Sequence, residues 1–434
     1  MAGRPAPIMR TGGQKAPTFF GKLLGDMGAD VVKIEPPSGD PARMWGRLLG
    51  LGPDVNPPFE MDNRSKRSVV LDLGTAEGRA DALELLAAAD VFVTNIRPAA
   101  LDRLGLDFQT VAARNRALVY GILTGYGLDG PDANRPAYDV AAFWARAGIA
   151  DLLTRPGDTP PFQRGGMGDH SAGTTLTAAI CAALVSRNRT GVGQLVTTSL
   201  YRQGVYTVSF DLNTLLMSGQ PIAIGQREKM GNPCMNNYAT SDGKRFWIVG
   251  LEVDRHWPAL CRSVGHPEWQ SDARFDTPRA RAGNAVELIA ELDRIFATRT
   301  MAEWAAIFDG EPEFFWSPIN SLDDVLVDDQ FHAAGGVVYV PDGDDSVPMI
   351  ASPRTGASRT ARSRPIRSPS PPRNADNSTQ GANRAAPASP ISAASVSASR
   401  AAVSAVRAIG IPRLSPGGRP AAAAALSRAK LCVS

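Results

Sequence analysis

Residues 68–95 read SVVLDLGTAEGRADALELLAAADVFVTN, and they set the class of the fold. Ser68–Leu73 predicts a strand, and Asp90–Asn95 predicts another. Between them, Thr75 is a good N-cap for a helix that runs to about Ala89. A strand, a helix and a strand at this spacing indicate two parallel strands in one sheet.

The same alternation continues on both sides of this stretch. Upstream, a helix that begins near Pro17 and ends at Gly28 leads into the strand Val31–Glu35. Downstream, the pattern predicts the strands Ala117–Leu123 and Gln194–Ser199 and the helices Ala100–Leu104, Tyr138–Ala147, Ser171–Arg187 and Leu200–Met217. The sequence therefore predicts an α/β fold with a doubly wound parallel sheet, whose ligands bind beyond the carboxyl ends of the strands.

Past Gly219 the pattern changes. A strand at Arg245–Val249 and helices at Ala285–Phe296 and Met301–Phe308 predict a smaller α+β domain. The expected organisation is an irregular segment at 1–16, a large domain at 17–221, a small domain at 222–335, a return segment at 336–350 and a tail at 351–434. In the small domain, the run Phe314–Trp316 lines an acyl pocket or, more simply, belongs to the core.

Charge is unevenly distributed along the chain. The total is 46 basic and 43 acidic residues, a formal charge of +3, but the tail has 12 arginines, Lys430 and a single acid, Asp376. It has no aromatic residue, so we expect it to be disordered. It also lacks the stacking groups that single-stranded nucleic acids require, and we expect no nucleic-acid partner. A GC-rich gene translated in a shifted frame would give a similar composition.

Several classes of protein are disfavoured. The four cysteines and four histidines are scattered, without CxxC or HExxH, so we expect no metal site and a reducing, cytoplasmic location. No apolar run reaches the ~20 residues of a membrane span, so we expect no membrane partner. GxGxxG in its strand–helix context, GxxxxGK[ST] and GxSxG are also absent.

The segment Gly165–Gly173, GGMGDHSAG, is the strongest candidate for chemistry. A flexible glycine run brings Asp169 to the start of an apolar helix, where the helix dipole favours a carboxylate. Such a carboxylate can act as a nucleophile. The alternative is that Asp169 or Ser171 is only an N-cap. We expect His170 to be an exposed neighbour, because adjacent residues do not share a helix face.

Cations cluster next to two of the predicted strands. Arg64, Lys66 and Arg67 precede one strand, and Arg97 and Arg103 follow another. Cations at these positions can hold phosphates, although solvated surface charge is the commoner role.

Seven ordered motifs carry a resemblance to a known family. They are VVKIEPPSGDPAR (31–43), NRSKRSVVLDL (63–73), VTNIRPAALDRLGLD (93–107), ALVYGILTGYGLDGP (117–131), AYDV (137–140), GGMGDHSAG (165–173) and RTGVGQLVTTSL (189–200). This set closely resembles the class III CoA-transferases of the CaiB/BaiF type, which include formyl-CoA, carnitine and bile-acid CoA-transferases and the related α-methylacyl-CoA racemases.

The resemblance implies a Rossmann-like large domain, a small domain and an interlocked homodimer. It implies that the substrates are an acyl-CoA and a carboxylic acid, with no permanently bound cofactor. It also implies an apolar first strand before the helix near Pro17, which Met1–Lys15 does not resemble.

The resemblance also implies roles for particular residues. Asp169 matches the catalytic aspartate, which passes through an anhydride and an aspartyl-CoA thioester. The positions that match CoA contacts are Leu71, Asp72, Leu73, Asn95, Ile96, Arg97, Arg103 and Tyr138.

Three functions stay open at this point: a CoA-transferase, an acyl-CoA racemase or epimerase, and a degenerate protein that binds CoA without catalysis. The racemase branch pairs its aspartate with a histidine, and Tyr138 stands at that position. Phenols ionise only near pH ~10, so a phenol is a poor base for proton abstraction. This favours the transferase.

Overall fold

The computed structural model describes residues 7–11, 15–52, 55–222, 226–342, 345–353 and 430–433. The chain divides into two units. The larger unit comprises Met1–Asn213 and Gly336–Ser434, and the smaller unit comprises Thr214–Gly335. The smaller unit thus begins a few residues before the position expected from the sequence.

The strands are β1 (Pro7–Thr11), β2 (Asp30–Glu35), β3 (Lys66–Val70), β4 (Val91–Thr94), β5 (Val119–Thr124), β6 (Leu195–Ser199), β7 (Met235–Ala239), β8 (Arg245–Val249), β9 (Trp316–Pro318), β10 (Val337–Asp342), β11 (Asp345–Ile350) and β12 (Lys430–Val433). The helices are α1 (Lys15–Asp26), α2 (Trp45–Leu48), α3 (Pro57–Asn63), α4 (Ala76–Ala87), α5 (Pro98–Leu104), α6 (Phe108–Arg114), α7 (Ile149–Leu152), α8 (Met167–Thr190), α9 (Leu200–Thr207), α10 (Ser209–Ser218), α11 (Val253–Ser263), α12 (Pro278–Gly283), α13 (Ala285–Phe296), α14 (Met301–Phe308), α15 (Leu322–Leu326) and α16 (Asp329–Ala333). A π-helix occupies Val140–Ala145.

A parallel sheet forms the centre of the larger unit. Six of its strands pair with one another in the order β3–β2–β1–β4–β5–β6. This is the strand order of doubly wound folds, and the order reverses between β1 and β4. The crevice for a ligand is therefore expected beyond the carboxyl ends of the strands at that reversal.

Two short segments differ from the sequence-based expectation. Residues 7–11 form β1, although an irregular segment was expected at 1–16. Residues 430–433 form β12, although they belong to the expected disordered tail. Both strands pair with β4 and with the same edge of β2, where Pro7 and Lys430 each align with Asp30. Residues 354–429 and 434 lie outside the described residues. The expectation that the tail is disordered falls on these residues.

Helix α8 covers one face of this sheet. It begins after Gly166 and ends before Gly191, both in the left-handed conformation that favours glycine. Its buried face includes Leu176 and Ile180. A Cβ on Gly121 of β5 would lie 2.9 Å from Ile180 Cδ1, so glycine lets the helix approach the strand closely.

The predicted helices of the larger unit differ from the observed ones in detail. Helix α8 begins at Met167 rather than at Ser171, and the expected helix at 138–147 is a shorter π-helix. The expected helix at 200–217 is divided into α9 and α10. None of the residues of α10 is buried.

In the smaller unit, strands β7, β8 and β9 form an antiparallel sheet. The bounds of β8, α13 and α14 are those predicted. Aromatic side chains dominate the core, among them Phe246, Phe296 and Phe308. Phe314 belongs to this core, whereas Phe315 is 42% exposed.

Candidate active site

A cavity of about 640 Å³ opens in the larger unit, beyond the carboxyl ends of β4 and β5. Residues 95–97 line it directly after β4, and 123–125 line it at the end of β5. Asp169 contributes from the first turn of α8. The cavity thus lies where a parallel sheet of this strand order binds ligands.

The start of α8 holds Asp169 in the wall of the cavity. The residue is only 7% exposed. The N-cap of the helix is Gly166, whose φ of 84° turns the chain into the first turn. The aligned backbone dipoles give this end of the helix a partial positive charge, which favours a carboxylate there.

The N-cap alternative for Asp169 and Ser171 is wrong, because both lie inside the helix. The hydroxyl of Ser171 donates instead to the carbonyl oxygens of Met167 and Gly168, each at 3.0 Å. Asp169 is therefore not required as a cap.

A second carboxylate, that of Asp139, holds the start of α8. Its Oδ2 accepts from the backbone N–H of Gly168 at 3.1 Å and of Asp169 at 3.4 Å. Its Oδ1 accepts from Gln163 Nε2 at 2.9 Å. Asp139 thus satisfies two of the free N–H groups of the helix and fixes the backbone at Asp169. Neither Asp139 nor Gln163 stands out in the sequence as a functional residue.

Gly168 must be glycine for this arrangement to form. A Cβ at that position would lie 2.2 Å from Asp139 Oδ1 and 2.3 Å from Phe143 Cγ. Both distances are far shorter than a normal contact. The glycine run therefore does more than provide flexibility, since it lets Asp139 reach the helix backbone.

The structure brings together five of the nine site residues expected from the sequence. Asn95, Ile96, Arg97, Tyr138 and Asp169 all line the cavity. The four that do not line it are Leu71, Asp72, Leu73 and Arg103.

The turn at Leu71–Leu73 joins β3 to α4. Leu71 is buried in the core, and Asp72 Oδ1 accepts from the N–H of Gly74 at 2.9 Å. The hydroxyl of Thr75 donates to the carbonyl of Asp72 at 2.8 Å. In this chain, then, these residues organise the start of α4.

Two polar side chains after β4 are available to a ligand. The Oδ1 atom of Asn95 is buried and accepts no hydrogen bond from any described residue. Arg97 is exposed, and its Nη1 donates to the carbonyl of Asn134 at 3.2 Å. The site therefore offers an acceptor and a cation side by side.

The cations at the start of β3 have internal partners, so the phosphate-binding interpretation is wrong for Arg64 and Lys66. Arg64 is buried against Asp26 at 3.0 Å and donates to the carbonyl of Ile350 at 2.8 Å. Lys66 is buried and donates to the carbonyl of Asp62 at 2.7 Å. Arg67 pairs with Asp30 at the surface.

Among the residues that the structure describes, no group of histidine, cysteine and carboxylate side chains is arranged to hold a metal ion. In the same part of the chain, no helix has both the length and the apolar character needed to cross a membrane.

Comparisons with known proteins identify the family of this chain. The sequence profile of CoA-transferase family III matches residues 11–377. The chain is 30% identical over 312 residues to the (R)-2-hydroxy-4-methylpentanoate CoA-transferase of Clostridioides difficile, covering 71% of this chain and 77% of the relative. It is 33% identical over 303 residues to a probable fatty acyl-CoA transferase of Mycobacterium tuberculosis, covering 66% and 75%. A crystal structure of a CaiB/BaiF family protein from Brucella suis superposes with a TM-score of 0.71 at 30% identity, over 84% of this chain and 95% of that one.

With these relatives, the fold and the cavity are those of an α/β enzyme of the CoA-transferase class. Within that class, the chain belongs to CoA-transferase family III. The resemblance found in the sequence motifs is confirmed.

Proposed function

We propose that this enzyme moves CoA from an acyl-CoA thioester to a carboxylic acid acceptor, with Asp169 as the nucleophile. The observation that carries the proposal is the Asp169 carboxylate, which helix α8 presents to a cavity beyond the sheet. The test is incubation with a panel of acyl-CoA donors and acids, followed by mass spectrometry of the protein. A protein that binds CoA without catalysis would gain no covalent adduct.

The proposed reaction has four acyl transfers. An oxygen of the Asp169 carboxylate attacks the thioester carbonyl, the C–S bond breaks, and CoA thiolate leaves a mixed anhydride on the enzyme. The thiolate then attacks the Asp169 carbonyl, which releases the donor acid and forms an aspartyl-CoA thioester. The acceptor carboxylate attacks that thioester to form a second anhydride and thiolate. The thiolate finally attacks the acceptor's acyl carbon, which yields the new acyl-CoA and regenerates Asp169.

CoA itself would be held by the residues after β4. The buried Oδ1 of Asn95 is an acceptor for an amide N–H of the pantetheine arm, since a buried acceptor without a partner is costly. Arg97 supplies positive charge for the phosphates. Leu71–Leu73 and Arg103 would meet the adenine end outside the cavity, and Tyr138 would contact the thioester end.

Replacing Arg97 with alanine should weaken CoA binding about 10- to 150-fold, because a charge-assisted hydrogen bond to phosphate contributes on the order of 1.5–3 kcal/mol. Isothermal titration calorimetry with CoA measures the change. Arg114→Ala is the matched control, since Arg114 is also exposed but lies in α6 and does not line the cavity. Equal losses in the two variants would contradict the role of Arg97.

The racemase alternative makes a different prediction. Tyr138 stands where the racemases have a histidine base, and its side chain is 64% exposed. A well-placed general base contributes roughly 10²–10⁴-fold, so α-proton exchange should be at least about 100-fold slower than CoA transfer. Deuterium uptake by a 2-methylacyl-CoA in deuterated water measures this exchange. Rapid uptake that Asp169→Asn abolishes would favour the racemase instead.

We also propose that the enzyme is a homodimer of the cytoplasm. Exposed apolar side chains on α10 support a partner surface, with Phe210 at 77%, Leu216 at 80% and Met217 at 89% exposure. An apolar helix face of this kind is normally covered by another protein surface. Cys181, Cys234 and Cys261 carry free thiols, which suits a reducing compartment.

A further inference from the structure

The start of α8 has a second side-chain contact, on the His170 side. Nε2 of the imidazole lies 3.5 Å from Oδ1 of Asp62, near the end of α3. The Asp62 side chain is 3% exposed and that of His170 is 32% exposed. His170 is therefore half-buried beside Asp62, and only the expectation that it is exposed is wrong.

The buried oxygen of Asp62 needs this contact. Oδ1 accepts no hydrogen bond from any residue that the structure describes. A buried carboxylate is tolerated only when an opposite charge or a donor compensates for its lost hydration. The imidazole Nε2 at 3.5 Å is placed to supply that donor, and the Lys22 ammonium adds an electrostatic interaction with Asp62. The Lys66 ammonium donates to the Asp62 carbonyl and keeps this end of α3 in place.

His170 also packs against the turn that begins α8. The backbone N–H of His170 donates to the Gly166 carbonyl at 2.8 Å. A Cβ on Gly166 would lie 3.1 Å from Cε1 and Nε2 of the imidazole, so the ring rests on the backbone of that residue. The first turn is thus held by Asp139 at Gly168 and Asp169, and by the imidazole at Gly166.

We propose that Asp62 and His170 form a positioning pair that fixes the start of α8 and thereby the Asp169 carboxylate. The pair rests on the proposed nucleophilic role of Asp169. Neither member lines the cavity, so both act through the helix backbone. Small displacements matter in such a site, since a shift of about 1 Å in a reacting group can cost ~100-fold in rate.

A double-mutant cycle tests the pair in the full-length enzyme. Asp62→Asn, His170→Gln and the double variant are compared with wild type in single-turnover formation of the CoA adduct on Asp169, and CoA affinity is measured by calorimetry. Each single variant should slow adduct formation about 10-fold or more while CoA affinity changes less than about 2-fold. The rate of adduct formation in the double variant should be no lower than in the slower single variant, because both substitutions break the same interaction.

His266→Gln is the matched control. His266 pairs with Glu268 at 2.8 Å on the surface of the smaller unit, so its loss should leave the rate unchanged. Wild-type rates in both single variants, or additive losses in the double variant, would overturn the pair. Loss of CoA affinity in parallel with the rate would also overturn it, because that pattern indicates a general structural defect.

Amide hydrogen exchange of peptides covering 163–172 gives a readout that does not depend on activity. Exchange should be faster in Asp62→Asn and in His170→Gln than in wild type and in His266→Gln. If wild type forms no adduct on Asp169, the proposed function fails. Hydrogen exchange still tests whether Asp62 and His170 hold the start of α8. Unchanged exchange in both variants would overturn the pair, and His170→Gln alone suffices if Asp62→Asn does not fold.

Discussion

Asp169→Asn should lower the rate of CoA transfer at least about 1,000-fold, because removal of the proposed covalent nucleophile leaves only binding and electrostatic contributions. The amide keeps the size of the side chain but cannot attack a thioester. CoA affinity should change little, since Asn95 and Arg97 remain in the cavity wall. Steady-state transfer assays and calorimetry on the same preparations measure the two effects.

The adduct itself is a second readout of the same substitution. In wild type incubated with an active acyl-CoA, the peptide that contains Asp169 should gain the mass of CoA less water, and hydroxylamine should remove it. Asp151→Asn is the matched control, since Asp151 is an exposed carboxylate on the neighbouring α7. Normal transfer by purified Asp169→Asn, or an adduct on another residue, would contradict the mechanism.

Much of the fold could be predicted because each element has a local signature. Strand β4 is entirely buried, and Val91–Val93 are a continuous apolar run, while β2 combines buried apolar residues with the buried charges of Lys33 and Glu35. The start of helix α4 is predicted by its N-cap, Thr75, whose hydroxyl accepts from the N–H of Gly78 at 3.0 Å. Such signals need only a few neighbouring residues.

Strand β1 was missed because its signature is weak. Residues 7–11 read PIMRT, with a proline at the first position and a charged residue near the end. Its place in the sheet comes from pairing with β2 and β4, which lie far along the chain. Non-local pairing of this kind leaves no local pattern.

In the candidate site, too, local sequence patterns were recognised and contacts between distant residues were not. Asp169 could be identified because glycines and an apolar helix surround it in sequence. Asp139 and Asp62 could not, because they reach the start of α8 from 30 and more than 100 residues away. Leu71–Leu73 were assigned to CoA by resemblance alone, and the structure places them in the turn before α4.

The motif VVKIEPPSGDPAR contains a buried ion network whose loss should strongly destabilise the larger unit. Glu35 is 3% exposed, and it accepts from Arg43 Nη2 at 2.8 Å and from the hydroxyl of Ser68 at 2.9 Å. Lys33, fully buried on the same strand, lies 3.6 Å from Glu35 and also bonds to Asp40. This network shapes the loop that leads to Trp45 in the cavity wall.

Glu35→Gln should lower the free energy of unfolding of the larger unit by about 3 kcal/mol or more, because it removes the buried carboxylate that Arg43 and Lys33 share. Urea unfolding at pH 7, followed by hydrogen exchange of peptides from β2 and β4, measures the loss in that unit. Asp30→Asn is the matched control on the same strand. Asp30 pairs with Arg67 at the surface, where such pairs contribute only about 0.2–1 kcal/mol.

The same variant has a defined pH dependence. Burial alone would raise the pKa of Glu35, but Arg43, Lys33 and Ser68 outweigh it and lower the pKa to about 2 from 4.5. A carboxyl whose pKa is lower in the folded state stabilises the fold above its unfolded pKa, and that contribution is lost as the pH falls through the folded value. The stability difference between wild type and Glu35→Gln should therefore be constant above about pH 5 and shrink as the pH falls from 4.5 towards 2. A difference that stays constant through this range would show that Glu35 stabilises the fold by its shape and not by its charge.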